Sequence, residues 1–440
     1  MTPKVRNRIE QIRRGKVPKG YKKTKVGIFP DKWELRYLNE LLEFKNGINA
    51  DKERFGQGVK VISVRDILSD RPITYGTIRG SVEVNERQIE EFGVEYGDIL
   101  FQRSSENYED AGTSNVYLDR CNTAVFSGFV IRGKKISAYN PVYLNALLRA
   151  AYVRKAIIRQ SAGAQHINIG QESLARVCIV LANDVEQKKI AEILTAQDKV
   201  IELKEKRLAE KQRQKKYLMQ QLLTGKKRLK GFNGEWINYR LNQITKRIKC
   251  KNEEANDNVL TISAQHGLIN QTDFFNKEIA SADKRNYYLL RRDDFAYNKS
   301  YSSGYPFGAI KRLTRYDVGI VSPLYICFQI SAKEVSLEYI EQYFEAGLIN
   351  REIQACAQEG ARNHGLLNIA IDDFFNIKIV LPYYKEQLVI AKILKSKDSE
   401  IDLLRQDIEQ EKRKKKALMQ LLLTGIVRVP IKGNKERTCQ

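Results

Sequence analysis

The sequence has 440 residues, of which 42% are hydrophobic and 29% are charged, the composition of an ordinary globular protein. Lys and Arg number 76 against 53 for Asp and Glu, so the net charge of +23 favours a polyanion such as nucleic acid as the partner. No apolar run approaches the roughly 20 residues of a membrane helix, and residues 1–25 are basic without the apolar core of a signal peptide. We therefore expect a cytoplasmic protein with no membrane partner.

The cysteines and histidines do not form a ligand pattern. Six cysteines lie far apart with no Cys-x-x-Cys pair, and the three histidines are not clustered. This spacing indicates free thiols and argues against a bound metal. The sequence also lacks a Gly-x-x-x-x-Gly-Lys-Ser/Thr phosphate loop, so we do not expect this chain to hydrolyse ATP.

After the basic segment 1–25, residues 26–185 are predicted to form a first domain of mixed α and β structure. Its strand-like runs are 59–64, 124–133 and 175–182, and a helical pattern covers 141–160. An aspartate-containing turn leads to Gln102, Arg103 and Ser104, and a later polar loop carries Gln165 and His166. Side chains of these types hydrogen-bond base edges and phosphates. We expect them at a DNA surface, and a structural role within the loops is the alternative.

Residues 186–225 predict a long helix, because they contain neither Pro nor internal Gly and they end at Thr-Gly. Apolar residues recur at the 4-3 spacing of a coiled-coil seam. The positions that interrupt this seam are polar: Gln197, Lys204, Lys211 and Lys215. We therefore expect the helix to be stable only against a partner.

A second domain, residues 226–385, repeats the order strand, helix, polar loop and strand with a different sequence. Its strand-like runs are 321–330 and 377–382, and a helical pattern covers 336–357. The candidates for DNA contact here are Asn298, Lys299 and Tyr301, followed by the loop residues Arg362, Asn363 and His364.

Residues 386–426 predict a second long helix, and a tail follows at 427–440. Over 40 positions at a constant offset of 200, residues 186–225 and 386–425 share 19 identities. Two such helices can satisfy each other's seams within one chain. The sequence therefore predicts an α+β fold with two mixed α/β domains, separated by two long antiparallel helices that form an intramolecular coiled coil, with a pseudo-twofold internal repeat. A coiled coil that only oligomerises the chain is the alternative.

The start Glu-Gln-x-x-Ile-Ala-x-Ile-Leu and the end Leu-Met-Gln-x-Leu-Leu-Thr-Gly of both helices, around two unlike domains, resemble the specificity subunit of type I restriction-modification systems. The resemblance implies that each domain is a target-recognition domain, and that the chain reads the two halves of a split, asymmetric site in double-stranded DNA. It also implies four partner subunits: two modification (methyltransferase) subunits that bind S-adenosylmethionine, and two restriction (motor-nuclease) subunits that use ATP and Mg²⁺. The chain itself would bind no cofactor and would have no catalytic site.

Two rival functions are weighed against this resemblance. Pro30-Asp31 with Glu43 and Lys45 matches the loose PD…ExK pattern of metal-dependent DNA endonucleases, in which carboxylates hold Mg²⁺. That pattern needs its Glu and Lys on a strand, whereas residues 38–47 are predicted to form a helix that ends at glycine. The other rival is a structural coiled-coil adaptor, which would bind DNA without sequence preference.

Overall fold

The computed structural model describes residues 2–161, 163, 167–263, 266–275, 283–302, 304–359 and 367–430. The chain divides into two compact units: unit 1 comprises Met1–Lys204 and Ile408–Gln440, and unit 2 comprises Glu205–Asp407. Among the described residues, no helix combines the length and the apolar character that crossing a bilayer requires. The five cysteines of the described part are free thiols.

The elements follow in chain order. The helices are α1 (Pro3–Arg13), α2 (Val64–Ile67), α3 (Glu86–Phe92), α4 (Pro141–Leu148), α5 (Ala151–Ile158), α6 (Gln171–Ala175), α7 (Asp184–Leu222), α8 (Leu241–Ile244), α9 (Gln271–Phe275), α10 (Leu337–Glu345), α11 (Asn350–Cys356), α12 (Ile371–Phe375) and α13 (Tyr384–Leu422), with short 3-10 turns at Leu38–Glu40, Lys52–Arg54 and Tyr75–Thr77. The strands before α7 are β1 (Tyr21–Thr24), β2 (Gly27–Pro30), β3 (Glu34–Tyr37), β4 (Leu42–Asn46), β5 (Phe55–Ile62), β6 (Ser81–Val82), β7 (Ile99–Gln102), β8 (Ser104–Ser105), β9 (Ser114–Val116), β10 (Val125–Phe126), β11 (Val130–Lys135), β12 (Ile167–Asn168) and β13 (Cys178–Leu181). Those after it are β14 (Ile237–Arg240), β15 (Thr245–Arg247), β16 (Leu260–Ser263), β17 (Gly267–Asn270), β18 (Tyr288–Arg291), β19 (Phe295–Asn298), β20 (Ala309–Arg312), β21 (Val318–Val321), β22 (Ile326–Ile330), β23 (Gln358–Glu359), β24 (Leu367–Asn368) and β25 (Lys378–Leu381).

Each unit is built on a four-stranded sheet with the same topology. The strand order is β4-β11-β7-β9 in unit 1 and β15-β22-β19-β20 in unit 2. The first sheet packs Phe101 and Ile131 against Leu144 of α4 in the larger core of unit 1. In unit 2 the rings of Phe295 and Phe328 stack with centroids 5.5 Å apart, next to α10. The α+β class and the internal repeat predicted from the sequence are therefore confirmed.

Several predicted elements are interrupted or of the wrong type. The runs 124–133 and 321–330 each form two strands with a turn between them, and the helical patterns 141–160 and 336–357 each form two helices. Residues 38–47 were predicted as a helix, but half of this segment is strand β4, whose Leu42 lies opposite Lys135 of β11. Pairing with a strand about ninety residues away overrides the local helical preference.

The start of each long helix carries a buried glutamate. Helix α7 is capped by Asn183, whose side-chain oxygen accepts a hydrogen bond from the backbone N–H of Glu186. The Glu186 carboxylate is 1% exposed and accepts both a 2.8 Å hydrogen bond from Trp33 Nε1 and two hydrogen bonds from the guanidinium of Arg428. Arg428 follows the end of α13, so this ion pair joins the start of one long helix to the end of the other within unit 1.

Unit 2 repeats the ion pair between glutamate and arginine at an offset of 200 residues. Glu386 of α13 is 1% exposed, and both of its carboxylate oxygens accept hydrogen bonds from the guanidinium of Arg228, which follows the end of α7. The helix ends also match, because Gly225 and Gly425 adopt left-handed φ angles of +70° and +68°. An indole ring packs on each glycine, Trp236 on Gly225 and Trp33 on Gly425.

The polar residues that interrupt the helical seam bind the opposite helix. In unit 1, Gln197 and Lys204 both bind Glu411, with Lys204 Nζ 2.9 Å from the carboxylate. In unit 2, Lys211 pairs with Glu400 and Lys215 pairs with Asp398. In both units, residues farther along α7 pair with residues earlier in α13. The paired segments therefore run antiparallel, as predicted.

A buried aspartate directly precedes one inner strand of each sheet, which we call its central strand: β7 in unit 1 and β19 in unit 2. In unit 1, Asp98 accepts hydrogen bonds from the backbone N–H groups of Glu95 and Lys135. In unit 2, Asp294 accepts one from the backbone N–H of Arg291. Burial raises the pKa of Asp98, and it raises the pKa of Asp294 to about 6.

Replacing Arg428 by Ala should destabilise unit 1, because the buried Glu186 carboxylate would keep only the hydrogen bonds from Trp33 and Asn183. Loss of one partner from a buried ion pair costs about 3–5 kcal/mol, and the two remaining hydrogen bonds should keep the loss near the lower end of that range. Urea unfolding measures this loss, with Arg413→Ala, at an exposed position of α13, as the control. Equal losses in both variants would contradict a special role for this ion pair.

Asp294→Asn should change stability in a pH-dependent way. The folded pKa of about 6 lies above the ordinary value of 3.8, so stability from protonation is present below 3.8 and is lost as the pH rises through 6. The amide keeps an oxygen for the Arg291 N–H but carries no charge. The stability of the variant relative to the parent chain should therefore increase by about 1–2 kcal/mol as the pH rises from 5 to 8. Unfolding midpoints at both pH values test this, with the exposed Asp257→Asn as a control for charge; a pH-independent difference would refute it.

Candidate nucleic-acid interface

The first group of predicted DNA-contact residues lies where β7 ends. Arg103 donates its backbone N–H to the carbonyl of Phe129 at 2.9 Å, and its guanidinium reaches the carbonyl of Gly128 at 3.3 Å. Its own carbonyl accepts the N–H of Ile169 at 3.0 Å. These bonds fix the backbone at Arg103 while most of the five guanidinium donors remain unused by described residues.

Gln102 and Ser104 flank Arg103 in different environments. Gln102 is 5% exposed and donates its amide to the Ser104 carbonyl at 2.9 Å, so it supports the turn from inside the unit. The Ser104 hydroxyl is half-buried and binds Asn168 of β12. Arg103 and Ser104 lie in one polar groove, whose other lining residues include Asn46, Asn49, Phe129, Asn168 and Gln171.

The second group lies where β19 ends in unit 2. The Asn298 side-chain oxygen accepts the backbone N–H of Ser300 at 3.1 Å, and the Lys299 carbonyl accepts the N–H of Leu367 at 3.1 Å. Tyr301 is 64% exposed. Arg103 and Lys299 therefore take equivalent places, each one residue beyond the central strand of its sheet.

The five candidates in the later loops lie outside the described residues: Gln165, His166, Arg362, Asn363 and His364. The residues that follow each loop are described. Strand β12 pairs with β8 through Asn168 opposite Ser104, and Leu367 donates to Lys299. In both units the chain leaving the second candidate loop is thus hydrogen-bonded to the first candidate group.

Two arginines near the first sheet have a structural role that the sequence analysis did not predict. Arg149 binds the carbonyls of Ile67, Ser69 and Ser114, and Arg154 binds those of Glu109, Ala111 and Gly112. Burial lowers the pKa of both guanidinium groups. These cations hold the loops of unit 1 and are not available to a polyanion.

A basic surface does occur at the N-terminal side of unit 1. Residues 1–30 contain ten Lys or Arg and one acidic residue, Glu10, and no side chain of α1 is buried. A neighbouring groove is lined by Lys25, Arg159 and Arg176. It runs next to Gln160 and Ala175, which bracket the loop of Gln165 and His166. Exposed cations thus lie in the described segments before and after the loop of Gln165 and His166, at Arg159 and Arg176.

In the rival endonuclease pattern, Glu43 and Lys45 lie on strand β4, not on the helix predicted from the sequence. Lys45 binds Glu91 at 2.8 Å, and its ammonium lies 4.9 Å from the ring centroid of Phe92. Asp31 follows β2, which belongs to a different sheet from β4. Within the part of the chain that the structure describes, no group of three His, Cys, Asp or Glu residues is placed to hold a metal ion.

Comparison with known proteins gives consistent matches. A family model described as the type I restriction modification DNA specificity domain matches residues 30–213. The putative type I restriction enzyme MjaX specificity subunit of Methanocaldococcus jannaschii is 25% identical over 445 residues, which cover 93% of this chain and 97% of that protein. The type I restriction enzyme MjaVIII specificity subunit of the same organism is 26% identical over 220 residues, 49% of this chain and 51% of that protein.

The fold of this chain is similar to that of a solved structure. One chain from a study of complex assembly and conformational transition of the type I restriction-modification system has a TM-score of 0.53 at 14% identity, covering 91% of this chain and 99% of that chain. At this identity the likeness concerns the fold alone. The family model over residues 30–213 and the relative aligned over nearly the whole chain confirm the resemblance to the specificity subunits of type I restriction-modification systems.

Proposed function

We propose that this chain is the specificity subunit of a type I restriction-modification system and that it reads a bipartite, asymmetric site in double-stranded DNA, with one half-site for each unit. One observation carries the proposal: the two units repeat their scaffold contacts at an offset of 200 residues, yet they differ where the central strands end. Unit 1 has Gln-Arg-Ser at residues 102–104, and unit 2 has Asn-Lys-Ser-Tyr at residues 298–301. A common frame with two different sets of hydrogen-bonding side chains is suited to two different base sequences.

The side chains at the strand ends have the chemistry for base readout. Arg and Lys donate to the O6 and N7 acceptors of guanine, Asn pairs with the N6 and N7 edge of adenine, and Ser binds either base. Arg103 and Lys299 are the central candidates because the backbone of each is fixed by hydrogen bonds to neighbouring segments. The loop residues Gln165, His166, Arg362, Asn363 and His364 complete the proposed contact set, with Tyr301 beside Lys299.

Phosphate contacts would come from the basic surface of unit 1. Lys25, Arg159 and Arg176 line a groove next to a predicted DNA loop, and α1 adds further exposed cations. Contacts to phosphate position a protein on the duplex without reading its sequence. DNA binding should therefore weaken steeply with salt, because each neutralised phosphate releases counterions.

The proposed partners are two modification subunits, which bind S-adenosylmethionine, and two restriction subunits, which use ATP and Mg²⁺. The outer faces of the long helices offer apolar positions for such partners. Leu203 is 54% exposed and Leu403, its equivalent in the repeat, is 66% exposed. Exposed leucines at matching positions are suited to binding two copies of the same subunit.

The methylation pattern tests the proposed function. The chain is expressed with its modification subunit, and methyladenine is located by sequencing the host DNA; a single bipartite motif is expected. Arg103→Ala should weaken or relax base preference in one half only, by about 5- to 150-fold for a bidentate base contact. Arg176→Ala, a phosphate candidate, should lower methylation without changing the motif. Equal relaxation of both halves by Arg103→Ala would contradict one half-site per unit.

Partner binding is tested separately. Leu203→Glu combined with Leu403→Glu should reduce the amount of modification subunit that co-purifies with the chain, because a charge replaces an apolar contact at each site. DNA binding by the isolated chain should be unchanged. Leu68→Glu, at a leucine that is 47% exposed outside the helices, is the control. Full retention of the modification subunit by the double variant would place its binding surface elsewhere.

A further inference from the structure

Both units interrupt a predicted strand at the same place. In unit 1 the turn Ser127-Gly128-Phe129 separates β10 from β11, and in unit 2 the turn Ser322-Pro323-Leu324-Tyr325 separates β21 from β22. Each turn is closed by a backbone hydrogen bond, from Val130 to Ser127 at 2.9 Å and from Tyr325 to Ser322 at 3.1 Å. The strand that follows each turn pairs with the central strand of its sheet.

Each turn exposes one large apolar side chain. Phe129 is 67% exposed and Leu324 is 66% exposed, and with Leu403 of α13 they are the most exposed large hydrophobic side chains in the described part of the chain. Val130, one residue after Phe129, and Ile326, two residues after Leu324, are buried. Side chains that could have contributed to the core are instead presented to solvent at equivalent positions in both units, which is typical of a binding surface.

Local contacts restrict the backbone of each turn. A Cβ atom at Gly128 would lie 1.8 Å from Asn49 Oδ1, so the first turn packs closely against the Asn49 side chain. The Gly128 carbonyl is also bound by the guanidinium of Arg103. In the second turn, Pro323 fixes its own φ angle. Different local features thus restrict the backbone of the two turns that carry the apolar side chains.

A cation accompanies each apolar side chain. Arg103 and Phe129 lie one residue beyond the paired Gln102 and Val130, and Arg103 donates its backbone N–H to Phe129. Lys299 and Leu324 lie two residues beyond the paired Tyr297 and Ile326. An apolar group beside a cation and amide groups is suited to duplex DNA, where base edges and thymine methyl groups lie next to phosphates.

We propose that Phe129 and Leu324 are specificity-determining residues that contact the bases of the DNA, one in each half-site. The apolar side chain packs against base edges while the neighbouring Arg103 or Lys299 supplies hydrogen bonds. This inference rests on the proposed function, but it names residues that the sequence analysis did not include among the DNA candidates.

Binding of the purified chain to duplexes that contain the methylated motif tests the proposal. Phe129→Ala should weaken binding at least about 5-fold, the lower limit for loss of one base contact, and the loss should disappear on a duplex whose corresponding half-site is scrambled. Leu324→Ala should behave in the same way with the other half-site. Phe129→Leu should recover part of the affinity, because an apolar contact remains.

The control is Ile136→Ala, which removes a side chain that is 53% exposed just beyond the opposite end of β11. Equal unfolding midpoints for all variants show that any loss is local. Unchanged DNA binding by both alanine variants would overturn the inference, and so would a loss confined to co-purification of the modification subunit, which would make the turns a protein-binding surface. If the parent chain itself shows no preference for the motif, the proposed function fails. That result can be told apart from the two outcomes above, because they concern only the variants.

Discussion

The frame of both units depends on a buried carboxylate at the start of each long helix. A charge with 1% exposure is costly unless it is paired and hydrogen-bonded, and the guanidinium that pairs with it comes from the segment after the other long helix. Since Arg428 and Arg228 each bind both carboxylate oxygens, the ion pair fixes distance and direction as well as neutralising charge. In each unit, one helix can begin only where the other ends.

The repeated sequence motif is explained almost entirely by this frame. The glutamine after each buried glutamate, Gln187 or Gln387, accepts the backbone N–H of Asn140 or Ser336, the capping residue of the helix that packs on the sheet. The Leu-Leu-Thr-Gly ends place buried leucines and a left-handed glycine against an indole ring. Because these contacts are satisfied within the scaffold, the residues at the strand ends can differ between the units without disturbing the fold.

Some of the Lys and Arg residues stabilise the fold, and others are exposed and can bind a partner. Arg149, Arg154, Arg228 and Arg428 hold backbone carbonyls or buried carboxylates, and Lys204, Lys211 and Lys215 hold the helix pair in register. In α1, Arg8 also holds a backbone carbonyl, that of Ile426, whereas Lys4, Arg6 and Arg13 and the groove residues Lys25, Arg159 and Arg176 are exposed. Net charge alone therefore indicates the class of partner, but the surface that meets this partner has to be found from the arrangement of the cations.

The sequence by itself determined the two long helices, their seam, their antiparallel pairing and the order of elements in each domain. These features depend on residue spacing along one helix and on a repeat at constant offset, which are local or directly countable. The tertiary structure decided what depends on distant partners: that residues 42–46 form a strand opposite β11, that Gln102 is buried, and that a turn interrupts each predicted strand. An apolar residue in an apolar run is normally expected inside, so the exposure of Phe129 and Leu324 became visible only when strand pairing placed each of them in a turn just beyond its sheet.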